Sequence, residues 1–154
     1  MKFVPIAALA AFALTAFAMT AFAGAASAGE VRVTITGVKA KPGAILATLQ
    51  TEDQFMKGQG AYSAMMAAPA ADGSVTVVFP DVAPGAYAFS AMHNENGDYQ
   101  MQREENGRPK EGWAMHNGAA LRAAPTFAGV KVDVPAAGLT LSEPMVYPQA
   151  APAR

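Results

Sequence analysis

Downstream of Glu30, the clearest apolar runs of this chain alternate with a period of two or stop at proline or glycine, which leaves little room for helices. Val31, Val33 and Ile35 alternate with Arg32, Thr34 and Thr36, placing one set of side chains on each face of an extended strand. Lys41-Pro42-Gly43 reads as a turn, and Ala44 to Gln50 as the second strand of a hairpin. Ser74 to Phe79 is a β-branched run that Pro80 is expected to end. Asp81-Val82-Ala83-Pro84-Gly85 forms a second turn in which Gly85 is expected to take a positive φ. Ala86 to His93 follows as a strand with Tyr87, Phe89 and Ala91 on one face. Phe127 to Val134 and Leu139 to Tyr147 read as late strands, separated by Pro135-Ala136-Ala137-Gly138. Ala61 to Ala68 fits a short helical turn or an irregular crossover. No long amphipathic helix is available for a doubly wound fold. About seven short strands with Pro and Gly turns predict an all-β, antiparallel sandwich.

The first 28 residues have a different character. Met1-Lys2 is a short positive start, Phe3 to Phe22 is apolar apart from Pro5, Thr15 and Thr20, and Ala26-Ser27-Ala28 places small residues before Gly29. This is the layout of a secretory signal peptide. The expected division is therefore a signal peptide at 1–28, a β-sandwich domain at 29–147 and a disordered Ala/Pro-rich tail at 148–154. The expected location is periplasmic or secreted, with no membrane span left after cleavage. The remaining 126 of 154 residues carry ten basic and twelve acidic side chains, a balance that excludes an electrostatic footprint for nucleic acid. Cysteine is absent, so the fold is built without disulfides in a compartment that permits them.

Polar chemistry concentrates in residues 93–118, read as one long loop. It holds both histidines, the only tryptophan and five acidic side chains. His93, Glu111, Trp113 and His116 are the candidate ligand-binding residues. Trp113, with Tyr62, Tyr87 and Tyr99, would supply flat faces for a saccharide. A second idea is copper held by Met92, His93, Met101, Met115 and His116, since thioether and imidazole suit Cu(I). Catalysis finds no support: there is no serine elbow, no cysteine, no zinc-protease helix and no phosphate loop. Glu104 and Glu105 are adjacent, so their side chains diverge and do not make a glycosidase pair.

Val78-Phe79-Pro80-Asp81-Val82-Ala83-Pro84-Gly85-Ala86-Tyr87-Ala88, then His93-Asn94-Glu95-Asn96-Gly97-Asp98, Gly107-Arg108-Pro109-Lys110-Glu111-Gly112-Trp113 and Pro125-Thr126-Phe127 together resemble an uncharacterised family of exported bacterial proteins. It is the domain-of-unknown-function family numbered twenty-one forty-one. The resemblance implies a transthyretin-like or immunoglobulin-like β-sandwich and brings no activity with it. It also implies a loop with oxygen side chains at alternate positions, here Asn94, Asn96 and Asp98, and a further one four residues on, here Gln102. Such oxygens suit a hard cation such as Ca²⁺, though two of the carboxylates usual in the family are amides here, which lowers the expected affinity.

The expectation is an exported, non-catalytic binding or structural module with its site in 93–118 and no assigned cofactor. Its partner would be a cell-envelope protein or a saccharide. The alternative is a metal-binding protein, with weak Ca²⁺ at 94–102 or copper through Met and His.

Overall fold

The computed structural model describes residues 28–148, so the signal-peptide segment and nearly all of the C-terminal tail lie outside the described residues. The fold is an all-β sandwich. The described residues form eight strands: β1 (Gly29–Val38), β2 (Ala44–Gln50), β3 (Tyr62–Ala67), β4 (Gly73–Val82), β5 (Gly85–Asn94), β6 (Trp113–Met115), β7 (Lys131–Val134) and β8 (Leu139–Pro144). One sheet has the order β4-β1-β8. The other has the order β3-β2-β5-β6, with β7 also paired to β5.

The alternation in β1 is what aligns the first sheet. Val31, Val33 and Ile35 are fully buried, and each contributes on the order of 1.5–3 kcal/mol by leaving water. They pack with Val77 and Phe79 of β4 and with Ile45, Leu49, Tyr87 and Phe89 of the facing sheet. β5 is buried on both sides. Tyr87, Phe89 and Ala91 enter this main core, while Ala88 enters a smaller one with Met115 and Val130. That second core lies under Phe55, Trp113, Leu121 and Phe127 and covers the outer side of β5 and β6.

Several expectations are corrected. β1 and β2 are not a hairpin: Lys41-Pro42-Gly43 crosses between sheets, and β2 pairs with β3 and β5 instead. The sandwich is not wholly antiparallel, because β1 and β8 run parallel, with Val31 opposite Leu139. Residues Tyr62–Ala67 are a strand rather than a helical turn or an irregular crossover. Pro80 does not end β4. It lies in a bulge where Pro80 and Asp81 stand against Glu30 alone, between the pairs Gly29–Val82 and Val31–Phe79. Proline is tolerated at such irregular edge positions.

The positive φ of that region falls on Asp81 (+53°) and not on Gly85. Gly85 instead lies under the Tyr87 ring, which a Cβ would meet at 3.4 Å. The Tyr87 hydroxyl folds back to donate to Ala83 O at 3.0 Å. Phe127–Val130 is a single helical turn, α1. Thr126 accepts a hydrogen bond from Gly129 N, and Phe127 meets Phe55 edge to face at 5.9 Å. Only Lys131–Val134 continues as a strand. The last strand stops at Pro144, after which Val146 bridges across to Trp113 of the other sheet. β6 also lies inside the stretch 93–118, which is therefore not one loop.

Candidate functional site

The end of β5 delivers His93 to the core face and Asn94 to the outer face, since successive side chains of a strand point to opposite sides. Both are buried. His93 stands opposite Ile45 of β2, and its Nδ1 lies 2.7 Å from the Tyr147 hydroxyl. That oxygen also accepts the Lys39 backbone N–H at 3.0 Å. Burial raises the Tyr147 pKa and keeps the phenol protonated, although the Lys39 backbone bond and the Lys41 charge act the other way. The ammonium groups of Lys39 and Lys41 lie 5.0 and 5.3 Å from the centre of the Tyr147 ring. Lys41 also pairs with Glu95 at 2.7 Å. Two buried atoms here, His93 Nε2 and Glu95 Oε1, have no partner among the described residues.

Glu111-Gly112-Trp113 ties this end together. The buried Glu111 carboxylate accepts from Glu95 N at 3.0 Å and from Gln102 N at 3.4 Å, closing the loop that begins at Glu95. Gly112 O accepts from His93 N at 2.8 Å. A Cβ on Gly112 would collide with the Tyr147 ring, so the tyrosine packs on the bare glycine. Trp113 exchanges two backbone hydrogen bonds with Val146, at 2.9 and 2.7 Å, while its ring joins the second core. Each of these residues braces the segment, and none presents a reactive group to solvent.

Within the loop, Asn96, Asp98 and Gln102 come together. Asn96 Nδ2 and Gln102 Nε2 both donate to Asp98 Oδ2, at 3.0 and 2.5 Å. Asp98 Oδ1 accepts from Gln100 N. The Gln100 backbone N–H first, then the Gln102 side chain, hold the Asp98 pKa below its usual range, with Asn96 adding to the effect. Asn94 does not belong to this group. Its side chain is buried and accepts from Tyr99 N at 3.1 Å.

His116 forms a separate pair, its Nδ1 2.6 Å from Oε1 of the buried Glu143. The register sets Met115 beside Ser90 and Trp113 beside Met92. His116 is therefore about four residues along β5 from His93, on the order of 13 Å away. The two histidines do not share a site. Met92 and Met115 lie on the outer face while both histidines face inward, so these two methionines are across the sheet from the histidines proposed to share copper with them. No group of three or more His, Cys, Asp or Glu side chains among the described residues is arranged to hold a metal.

The four aromatics do not form one platform either. Tyr87 is buried edge to face with Tyr62 at 5.8 Å, and Trp113 belongs to the second core. Only Tyr99 projects, at 66% exposure. It overhangs a groove of about 340 Å³ on the uncovered part of the outer face, lined by Leu46, Thr48, Ser63 and Met65. Sequence reading missed this groove because β3 was not recognised as a strand. It also missed Tyr147 and Glu143, whose partners lie 54 and 27 residues away.

The family model described as "Uncharacterized protein conserved in bacteria" (DUF2141) matches residues 33–141, from the middle of β1 to the middle of β8. The chain belongs to this family. The matched span includes His93, the loop and the Glu111-Gly112-Trp113 brace, and excludes Tyr147. No match was found among curated proteins or among solved structures. No helix among the described residues is long and apolar enough to cross a membrane.

Proposed function

We propose that this DUF2141 protein is an exported, non-catalytic binding module that holds an apolar segment of another cell-envelope protein in the groove beneath Tyr99. The observation that carries this reading is the state of Tyr99 itself. It is a bulky aromatic at φ +60°, where an L-residue costs about 1–2 kcal/mol, and it is two-thirds exposed. The Asn94 side chain holds its backbone in place. Met65, 61% exposed, flanks the same groove, and flexible thioethers suit a surface that repacks around different apolar groups. The only polar side-chain groups lining the groove are the hydroxyls of Thr48, Ser63 and Tyr99, which favours a protein segment over a saccharide, whose hydroxyls need directional partners. Export rests on the signal-like segment at 1–28.

A photo-crosslinking side chain placed at Tyr99 in the producing bacterium tests this. A discrete protein adduct in the envelope fraction, lost when Met65→Asp is added, is expected. A saccharide adduct would change the ligand class, and labelling no greater than from Glu105 would overturn the reading. Sequencing the same exported material should find Gly29 at its N-terminus.

A second reading, a weak Ca²⁺ site, rests on the proximity of Asn96 and Gln102 to the Asp98 carboxylate, and requires both amides to turn their oxygens to the ion in place of the N–H groups they donate to Asp98.

A further inference from the structure

The chain has three Asn-Gly dipeptides, Asn96-Gly97, Asn106-Gly107 and Asn117-Gly118, and the fold treats each differently. Asn-Gly is the dipeptide at which asparagine loses its amide most readily, because glycine has no Cβ to hinder its backbone nitrogen as it closes on the preceding side chain. Three local features set the rate in a folded chain. The glycine N–H must be free, there must be room to move, and a donor on Oδ1 helps by stabilising the negative charge that develops there.

Asn96 meets all three conditions. Its Oδ1 accepts from Asp98 N at 3.0 Å, and its Nδ2 is turned to Asp98 Oδ2 at 3.0 Å. Gly97 N–H has no partner among the described residues, and a Cβ there would find nothing within 4 Å. Asn106 has a matching donor, Arg108 N at 3.0 Å, and equally open space at Gly107. Its nucleophile is tied, however, because Gly107 N donates to Glu104 O at 2.8 Å. At Asn117 there is no room to move, because Gly118 is buried against the Trp113 ring.

We propose that Asn96 is a site of spontaneous deamidation, converted to aspartate or isoaspartate by the fold ahead of the two other Asn-Gly sites. The Gly97 nitrogen gives its proton to hydroxide and attacks Asn96 Cγ. The new N–Cγ bond closes a five-membered imide, the Cγ–Nδ2 bond breaks, and the amide leaves as ammonia after taking a proton from water. Water then adds to either imide carbonyl and reopens the ring. Reopening at Cγ gives aspartate, and reopening at the backbone carbonyl gives isoaspartate. The net reaction consumes one water, releases one ammonia and involves no oxidation or reduction. Its product replaces the donor that faced Asp98 with a second carboxylate, in the loop that carries Tyr99. Such a charge change acts like any other covalent modification that adds negative charge.

The test incubates folded protein at mildly alkaline pH and follows each Asn-Gly peptide by mass, with isoaspartate labelling. A parallel sample is held in denaturant. Conversion at Asn96 is expected to run several-fold ahead of Asn106 and Asn117 in the folded protein, and the three rates to converge in denaturant. Asn96→Gln should remove the leading product and leave the two slower ones. Equal rates at Asn96 and Asn106 in the folded protein would overturn the proposal. So would the same lead for Asn96 in denaturant, since local sequence rather than the fold would then set it.

Discussion

His93 and Tyr147, 54 residues apart in sequence, meet at 2.7 Å where the two sheets close. The contact fastens the chain leaving β8 to the end of β5, and it gives the buried imidazole a side-chain partner. Tyr147→Phe would leave His93 Nδ1 and Lys39 N without that oxygen. The expected loss is about 1–3 kcal/mol, the usual cost of stranding a buried polar group, here the His93 imidazole, since the exposed Lys39 N–H can turn to water. It is read as a lower urea midpoint with an unchanged slope. An unshifted midpoint would show that the hydrogen bond adds nothing to stability.

Gly112→Ala tests the same junction sterically. The added methyl occupies the space of the Tyr147 ring, and overpacking of this kind costs about 1–3 kcal/mol. Combining it with Tyr147→Ala, which removes the ring, should recover part of the loss. Additive losses in the double variant would mean that the clash is not with Tyr147.

Asp98 has a pH signature of known sign. Its folded pKa is depressed below the usual 3.8, first by Gln100 N–H and then by Gln102. Its contribution to stability is therefore present above the unfolded value and lost as pH falls below 3.8 through the folded value. Asp98→Asn should lower the melting temperature at neutral pH, and the gap to the parent should close in strong acid. A gap independent of pH would rule out the carboxylate as its source.

The loop also offers a direct test of cation binding. Gln102→Asp sets a second carboxylate against Asp98 in place of an amide donor, so the variant should be less stable than the parent without Ca²⁺. Ca²⁺ should restore it, because affinity rises with ligand charge and a ligand stabilises the state it binds. Thermal melts of parent and variant with and without Ca²⁺ measure this, and an identical response of the two would remove the Ca²⁺ reading. Asn94 is the less informative position, being buried and bonded to Tyr99 N.

Alternation made β1, β4 and β5 legible, because β-branched and aromatic residues at every second position declare a buried face. It could not reveal neighbours. Nothing local to Val31 says that Leu139 lies beside it, and the turn at Lys41-Pro42-Gly43 looks the same whether it joins a hairpin or crosses between sheets. β3 was hidden because Ala and Met carry little strand preference, and its assignment came from pairing with β2. At the site, Glu111, Gly112 and His93 stood out through the company they keep in sequence. Tyr147, which organises them, had no signal of its own, since a tyrosine after a strand is unremarkable until its partner is known.

The parallel pairing of β1 with β8 has a consequence for how the protein is made. Synthesis delivers β1 among the first parts of the domain and β8 among the last. Until Leu139 to Pro144 emerges, β1 can pair only with β4, and its other edge stays bare. A nascent chain therefore cannot complete its first sheet early, and contacts between such distant segments slow the final step. The first sheet keeps one bare edge for nearly the whole synthesis of the domain, and is completed only when β8 arrives.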